Sequence, residues 1–360
     1  MNPYTFQSSQ YLFNALGNQF TVINYFNQIN SQNFRNLVHT DLSVINTPRQ
    51  GDTFFEEHAV FIQSYHLNNQ GHLGYEAWLN LLGVVFDADP VQYKEIHKGT
   101  AYYHASIFAL KSNRFLEGLE LMDYGFTSDL KTNPNAISAP GGLYIGLRYP
   151  QRGNDWGEGQ KLDQYIREVL REIPVFGNRH FNVIFLRSRA KKYFLTRRSG
   201  SRRSAWVSLL ASFLSKKEIQ RFIEVTPDYG ESQTIPKFDL TSLCLILETL
   251  LTYSPEGKRS EAIMINNLYQ ALIDTKLPQV RAHRQTVYNG LRNLSYSRWI
   301  RQMDRYISMY GLEVVAFSVA WILRNKVNHI FLDTRVELNL YNKLFDLLAY
   351  AILISLKLLY

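Results

Sequence analysis

Past Pro236 the chain follows one rule: apolar side chains return every third or fourth residue, and nothing alternates as a strand would. Leu240, Leu243, Ile246, Leu247, Leu250 and Leu251 fall on one stripe, and Leu312, Val315, Ala316, Val319, Ile322, Leu323, Val327 and Ile330 on another. Stripes of this period cannot be buried in a sheet, so each has to find another helix. The punctuation agrees. Asp239 reads as the cap of the first helix, and Ser254-Pro255-Glu256 supplies a cap, a first-turn proline and a first-turn acid for a second that should run to about Asp274. A helical stretch over 279–310, with a break near Gly290 or Ser295, is closed by Gly311, and 336–360 forms the last helix. Four or five antiparallel helices with short turns predict an up-and-down bundle over 236–360.

Residues 1–135 also read as helices, joined by short polar loops, with Phe20, Ile23, Phe26 and Ile29 at helical spacing. Between 100 and 130 the order Tyr102, Ala105, Ser106, Ala109, Phe115, Gly118, Met122, Gly125 puts small residues where two antiparallel helices must approach, with Phe115 and Met122 between them. That order resembles a tetratricopeptide repeat, and Trp78, Leu82, Gly83 and Phe86 suggest an imperfect earlier pair. The same residues also suit a plain helical hairpin. Residues 136–235 are different in character. Ala139-Pro140-Gly141-Gly142 and the run containing Gly153, Gly157 and Gly159 are loop material, 181–186 reads as either a strand or a helix start, and an apolar helix is expected over 206–214. This is a connecting region between two helical ones. Its glycines are not followed by Gly-Lys-Ser/Thr, which excludes a nucleotide-binding loop. The fold class is mainly α.

Cys244 is the only cysteine, so no intrachain disulfide can form and Cys-rich zinc sites are excluded. The other histidines, among them His58, His66, His72, His97 and His104, show no metal-ligand spacing with carboxylates, and structural or solvent-exposed roles are expected for them; no metal or cofactor is expected. The first residues lack the basic region and apolar run of a signal peptide, and the longest apolar stretches, 314–323 and 347–356, are about half the length that crosses a bilayer. The expectation is a cytoplasmic protein with no membrane partner. The formal net charge of +8 equals the sum of Arg187, Arg189, Lys191, Lys192, Arg197, Arg198, Arg202 and Arg203, a segment without acids, leaving the rest of the chain balanced in total. Such a cluster either holds a polyanion through phosphate contacts or is a solvated basic loop.

Within the penultimate helix stands Leu323-Arg324-Asn325-Lys326-Val327-Asn328-His329. An Arg and a His five apart, with Asn directly after the Arg, late in a C-terminal helical bundle, resembles the motif of HEPN-domain ribonucleases. The resemblance covers 238–360 and implies a HEPN-like four- or five-helix bundle, an endoribonuclease, and Arg324, His329 and Asn325 as its catalytic residues. Family members pair their bundles so that two motifs meet across a two-fold axis, which implies a homodimer. Helix geometry is compatible: residues five apart lie about 140° apart around a helix, so one chain presents half a site. The final helix, with Leu347, Ala351 and Leu356 apolar on sides other than its main stripe, is expected to supply the dimer surface. Glu248 stands where family members often place an acid, and it reads either as a partner for Arg324 or as a surface carboxylate.

The chemistry implied needs no metal. An RNA phosphodiester carries its own nucleophile in the 2′-hydroxyl; His329 would move protons, Arg324 would clamp the phosphate, and Asn325 would orient the phosphate or His329. The products implied are a 2′,3′-cyclic phosphate and a 5′-hydroxyl. The family makes antiviral defence or toxin action the expected biology, with RNA as substrate and a regulatory partner or activating ligand at the N-terminal helical region. The competing reading is a non-catalytic helical adaptor that dimerises and binds RNA or an acidic partner.

Overall fold

The computed structural model describes residues 4–17, 21–67, 70–149, 157–173, 181–196, 199–225, 234–255, 272–326 and 336–360. Among them are eighteen α-helices and no strand, the mainly α fold that the period of the apolar residues predicts. The chain divides into two compact units, Met1–Gln160 and Lys161–Tyr360. The stretch 136–235 is therefore shared between them.

The first unit contains α1 (Gln7–Leu16), α2 (Val22–Ile29), α3 (Gln32–Val44), α4 (Pro48–Leu67), α5 (Gly71–Ala88), α6 (Pro90–Glu95), α7 (Gly99–Lys111), α8 (Phe115–Thr132) and α9 (Pro140–Ile145). Side chains start several of them. Thr21 and Ser31 accept from the N–H groups of Asn24 and Phe34, and Asp89 accepts from Val91 and Gln92. The start of α1 is capped from a distance, by the buried Asp41 of α3, which accepts from the N–H groups of Gln7 at 2.9 Å and Ser8 at 2.8 Å. Of the stripe read at Phe20, Ile23, Phe26 and Ile29, Ile29 is buried and Phe26 packs against the core, while Ile23 is 71% exposed; Phe20 lies outside the described residues.

Helices α7 and α8 form the hairpin expected over 100–130. A Cβ on Gly118 would stand 2.7 Å from a Leu110 methyl, and one on Gly125 would stand 3.4 Å from the Gly99 carbonyl oxygen, so both glycines do sit at the crossing. Gly83 does not, since nothing lies within 4 Å of its Cβ position; on α5 the close approach is at Gly74, under the Phe108 ring. Ala139-Pro140-Gly141-Gly142, expected as loop, instead opens α9. Proline fits a first helical turn, and a Cβ on Gly141 would meet the Met122 carbonyl oxygen at 2.7 Å, so the pair of glycines lets this short helix press on α8.

His97 joins α4 to α8. Its Nδ1 is 3.0 Å from Asp52 Oδ1 and its Nε2 is 3.2 Å from Asp129 Oδ1, with the ring 8% exposed. Burial alone would lower its pKa, but the two carboxylates outweigh burial and push it up to about 9. A pKa raised on folding means that the stabilisation is complete below the ordinary histidine value and is lost as pH rises through 9. Chemical denaturation should therefore show stability falling between about pH 6.5 and 9. His97→Ala should cost about 2–3 kcal/mol at pH 6 and remove that decline. An unchanged pH profile in the variant would assign the decline to other groups.

The second unit receives α10 (Glu158–Glu172) and contains α11 (Val183–Arg189), α12 (Gly200–Val225), α13 (Thr234–Thr252), the single turn α14 (Asp274–Lys276), α15 (Pro278–Arg292), α16 (Tyr296–Tyr310), α17 (Leu312–Lys326) and α18 (Leu338–Leu359). Residues 183–194 are helical, α11 continuing through a wider turn over Ala190–Phe194 in which the Leu195 N–H reaches the Ala190 carbonyl. Helix α12 begins before the expected 206–214, so Arg202 and Arg203 lie inside it, and it packs on α13 and α18 as part of the bundle. Helix α13 likewise begins before Asp239, because Pro236 is tolerated in a first turn. Asp239 is thus not a cap. It is buried, accepts from the Tyr341 hydroxyl at 2.9 Å, and burial pushes its pKa up to about 6.

The apolar stripe of α13 is buried throughout, from Leu240 to Leu251. The long stretch over 279–310 is broken at 293–295 and ends where Gly311 takes a φ of +93°, which glycine adopts without strain. The Ser254 hydroxyl bonds back to the Leu251 carbonyl, and of the helix expected from Pro255 to about Asp274, residues 256–271 lie outside the described residues. Helix α18 is packed by α12, α13, α16 and α17. Leu347 is 2% exposed and Ala351 and Leu356 are 0% exposed, so the sides expected to face a second copy are filled by the unit itself. Helix α12 joins the bundle against α18 through Asn342, Phe345 and Asp346.

Candidate active site

Arg324 and Asn325 occupy the last turn of α17. Ile322 and Leu323 hold that turn against the core, Arg324 emerges with 32% of its side chain exposed, and Asn325 is exposed. Arg324 Nε donates to Glu248 Oε2 at 2.5 Å. Of the two readings open for Glu248, the geometry selects the partner for Arg324. The pairing follows from helix packing: α13 and α17 lie together, and Glu248 sits at the edge of the buried Leu247 and Leu251 stripe. The bond to Glu248 raises the Arg324 pKa further, so the group is a permanent cation. With Nε committed, the guanidinium retains other donors for a second acceptor such as a phosphate.

One turn before Glu248 stands Cys244, buried and with its thiol pushed up to about 12 by burial. It is protonated and unsuited to act as a nucleophile. His329, together with Val327 and Ile330, lies outside the described residues. Elsewhere His58 is buried between the Phe54 carbonyl and the Ser8 hydroxyl, and His104 stacks on Trp78 with burial pushing its pKa down to about 4. The described residues hold no group of three or more His, Cys, Asp or Glu able to bind a metal ion.

The basic segment is divided in its roles. Arg187 pairs with Asp163 at 3.0 Å, Arg189 donates to the Tyr360 carbonyl at 2.9 Å and lies over the Phe185 ring, and Arg203 is buried. Arg187 ties α11 to α10, and Arg189 holds Tyr360, whose ring packs against Tyr193 and Phe194. Lys191 and Lys192 are exposed and Arg202 is half-buried, while Arg197 and Arg198 lie outside the described residues. Charge counting missed a second concentration. Between 278 and 325 stand Arg281, Arg284, Arg292, Arg298, Arg301, Arg305 and Arg324 against only Asp304 and Glu313. Acids in other parts of the chain cancel it in the total, and a sliding local count would have found it.

No family model matches the chain, and neither a similar curated protein nor a similar solved structure is found. No helix among the described residues is long and apolar enough to cross a membrane.

Proposed function

We propose that the chain is a metal-independent endoribonuclease of the HEPN type, acting as a homodimer, with Arg324, Asn325 and His329 as its catalytic residues. The observation that carries this reading is Arg324 at the exposed end of a bundle helix, oriented by Glu248 and followed by the exposed Asn325. A planar cation fixed at one edge is suited to bind a phosphoryl oxygen as charge develops on it. The 2′-hydroxyl attacks phosphorus as it loses its proton, the 5′-oxygen leaves as it gains one, and His329 is the group suited to exchange those protons.

For the dimer, the last helix no longer offers a surface, but α13 does. Ile235 is 50% exposed, Phe238 67% and Leu245 47%, on the helix that carries Glu248. A second copy seated there would bring its own Arg324 towards the first. In the first unit, a cleft of about 290 Å³ lined by Asn46, Gln92, Glu95, His97 and Lys131 is suited to an activating ligand, in keeping with a regulated defence or toxin effector.

The test is incubation of the purified chain with end-labelled RNA in excess EDTA. Cleavage leaving 2′,3′-cyclic phosphate ends, with DNA of the same sequence intact, is the expected result. RNA that is bound but never cut would leave the adaptor reading, and a strict requirement for magnesium would remove the mechanism.

A further inference from the structure

The first unit buries a cation with which no acid of the described residues forms an ion pair. Lys98, directly before α7, is 8% exposed; its ammonium donates to the Tyr93 and Ile96 carbonyls and lies 4.5 Å from the Tyr93 ring centroid. An ammonium has three hydrogens, and the two carbonyls take two of them. Burial, and after it the charge of Lys131, push the Lys98 pKa down to about 8, and Glu95 opposes them only in part. A second cation therefore stands close by. Lys131 is exposed, and it too is in no ion pair among the described residues.

Both lysines line one small pocket of about 170 Å³, whose other walls are hydroxyl-bearing side chains. Tyr124, Thr127, Ser128 and Lys131 come from one stripe of α8, and Tyr102 comes from α7. No acid lines this pocket; Glu120, which accepts from the Tyr124 hydroxyl at 2.6 Å, stands outside it. The Ser128 oxygen accepts from the Lys98 N–H at 3.1 Å, which leaves the serine's own hydrogen to donate.

Ser128 and Lys131 also border the cleft of about 290 Å³, so the two spaces adjoin. The cleft differs in character. Gln92 donates through Nε2 to the Ile45 carbonyl at 2.9 Å, leaving Oε1 as an acceptor, and Glu95 is an exposed carboxylate. His97 on the same wall is already held by Asp52 and Asp129.

We propose that these adjoining spaces bind a small organic phosphate monoester, its phosphate between Lys98 and Lys131 and its hydroxyl- or amino-bearing body in the cleft. Two lysines match the nearly two charges of such a phosphate, whereas a carboxylate would answer only one. The donors of a sugar or nucleoside suit Gln92 Oε1 and Glu95, and Glu95 disfavours a second phosphate at that end. A role in activation rests on the ribonuclease reading; the binding itself does not.

The experiment is calorimetric titration of the full chain with adenosine 5′-monophosphate, ribose 5-phosphate, inorganic phosphate and adenosine, without RNA. At least one ester should bind with a Kd below about 1 mM, inorganic phosphate more weakly, and adenosine not measurably. Binding of the nucleotide alone assigns the body to a nucleoside, and equal binding of both esters assigns it to the pentose; each supports the site. Lys131→Gln and Lys98→Met should each weaken binding by about ten-fold or more, the loss of one charge-assisted hydrogen bond. Arg114→Gln, an equal loss of charge at the other end of α8, should leave it unchanged. Lys131 is exposed, so its variant keeps the fold even where Lys98→Met does not. The proposal is overturned by no binding of either ester up to about 10 mM, or by adenosine or inorganic phosphate binding as tightly as the esters. Equal losses in Lys131→Gln and Arg114→Gln overturn it as well. With no RNA present, a chain that never cuts RNA still passes or fails this test, and failure here leaves the ribonuclease reading standing.

Discussion

Arg324→Ala should lower RNA cleavage by at least about a hundred-fold while leaving affinity for uncleavable RNA within a few-fold, because the lost contact is one that strengthens as charge builds on the phosphate. Arg324→Lys should recover only part of the rate: the charge returns, but the planar fork that matches both a carboxylate and a phosphate does not. Glu248 acts through Arg324, so it is a positioning residue. Its carboxylate, bonded to Nε, fixes the plane of the guanidinium. Glu248→Gln should reduce the rate about ten-fold with KM nearly unchanged, and adding it to Arg324→Ala should cost nothing more, since the two side chains form one unit. His329→Ala should be as inactive as Arg324→Ala. Single-turnover cleavage of the five variants decides the matter. Wild-type rates in both alanine variants would move the site elsewhere, and full additivity of the Glu248 and Arg324 changes would deny Glu248 its role.

How far such a site can be read from sequence depends on which distances are local. Arg324 and Asn325 are adjacent, and the apolar residues before them declare a helix, so their place on that helix was legible. Glu248 was half legible: seventy-six residues separate it from Arg324, and only helix packing brings the two together. Registers near helix starts were misread, because capping residues such as Asp239 fit the first turn equally well when the helix begins earlier. The error has a consequence for function. Reading 136–235 as a connection left α12, which packs on the last helix, out of the bundle, and Leu347, Ala351 and Leu356, all buried within the unit, passed for a dimer face. A summed net charge has a similar blindness. It drew attention to 187–203, where Arg187, Arg189 and Arg203 serve the fold, and passed over α15 and α16, whose exposed arginines are offset by acids far along the chain.

The part played by α12 can be tested at Lys216, whose removal should be among the most destabilising single changes in the second unit. Its side chain is 2% exposed, and its ammonium lies 3.2 Å from Glu172, 3.0 Å from Asp346 and 4.9 Å from the Phe345 ring centroid. One cation thus ties α10, α12 and α18 together. Burial raises the Asp346 pKa and Lys216 opposes that rise, so Lys216→Met leaves a carboxylate at a site where ionisation is costly. The expected cost near pH 8 is about 3–5 kcal/mol, or on the order of 10 °C in the melting midpoint of a unit this size. The sign of the pH dependence follows. A carboxyl whose folded-state pKa is raised binds its proton more tightly when folded, so its stabilising contribution is present at low pH and lost as pH rises through the folded value. Without Lys216 that value rises further, and the deficit of Lys216→Met should therefore be smaller at pH 5 than at pH 8. Adding Asp346→Leu should restore most of the stability at pH 8, since apolar groups of similar size replace a buried ion pair with little loss. Glu172, being 45% exposed, can turn to water and needs no compensation. Urea denaturation of the two variants at both pH values provides the measurement. A deficit independent of pH, or a double variant no better than the single one, would mean that Lys216 stabilises through packing of its stem and not through its charge.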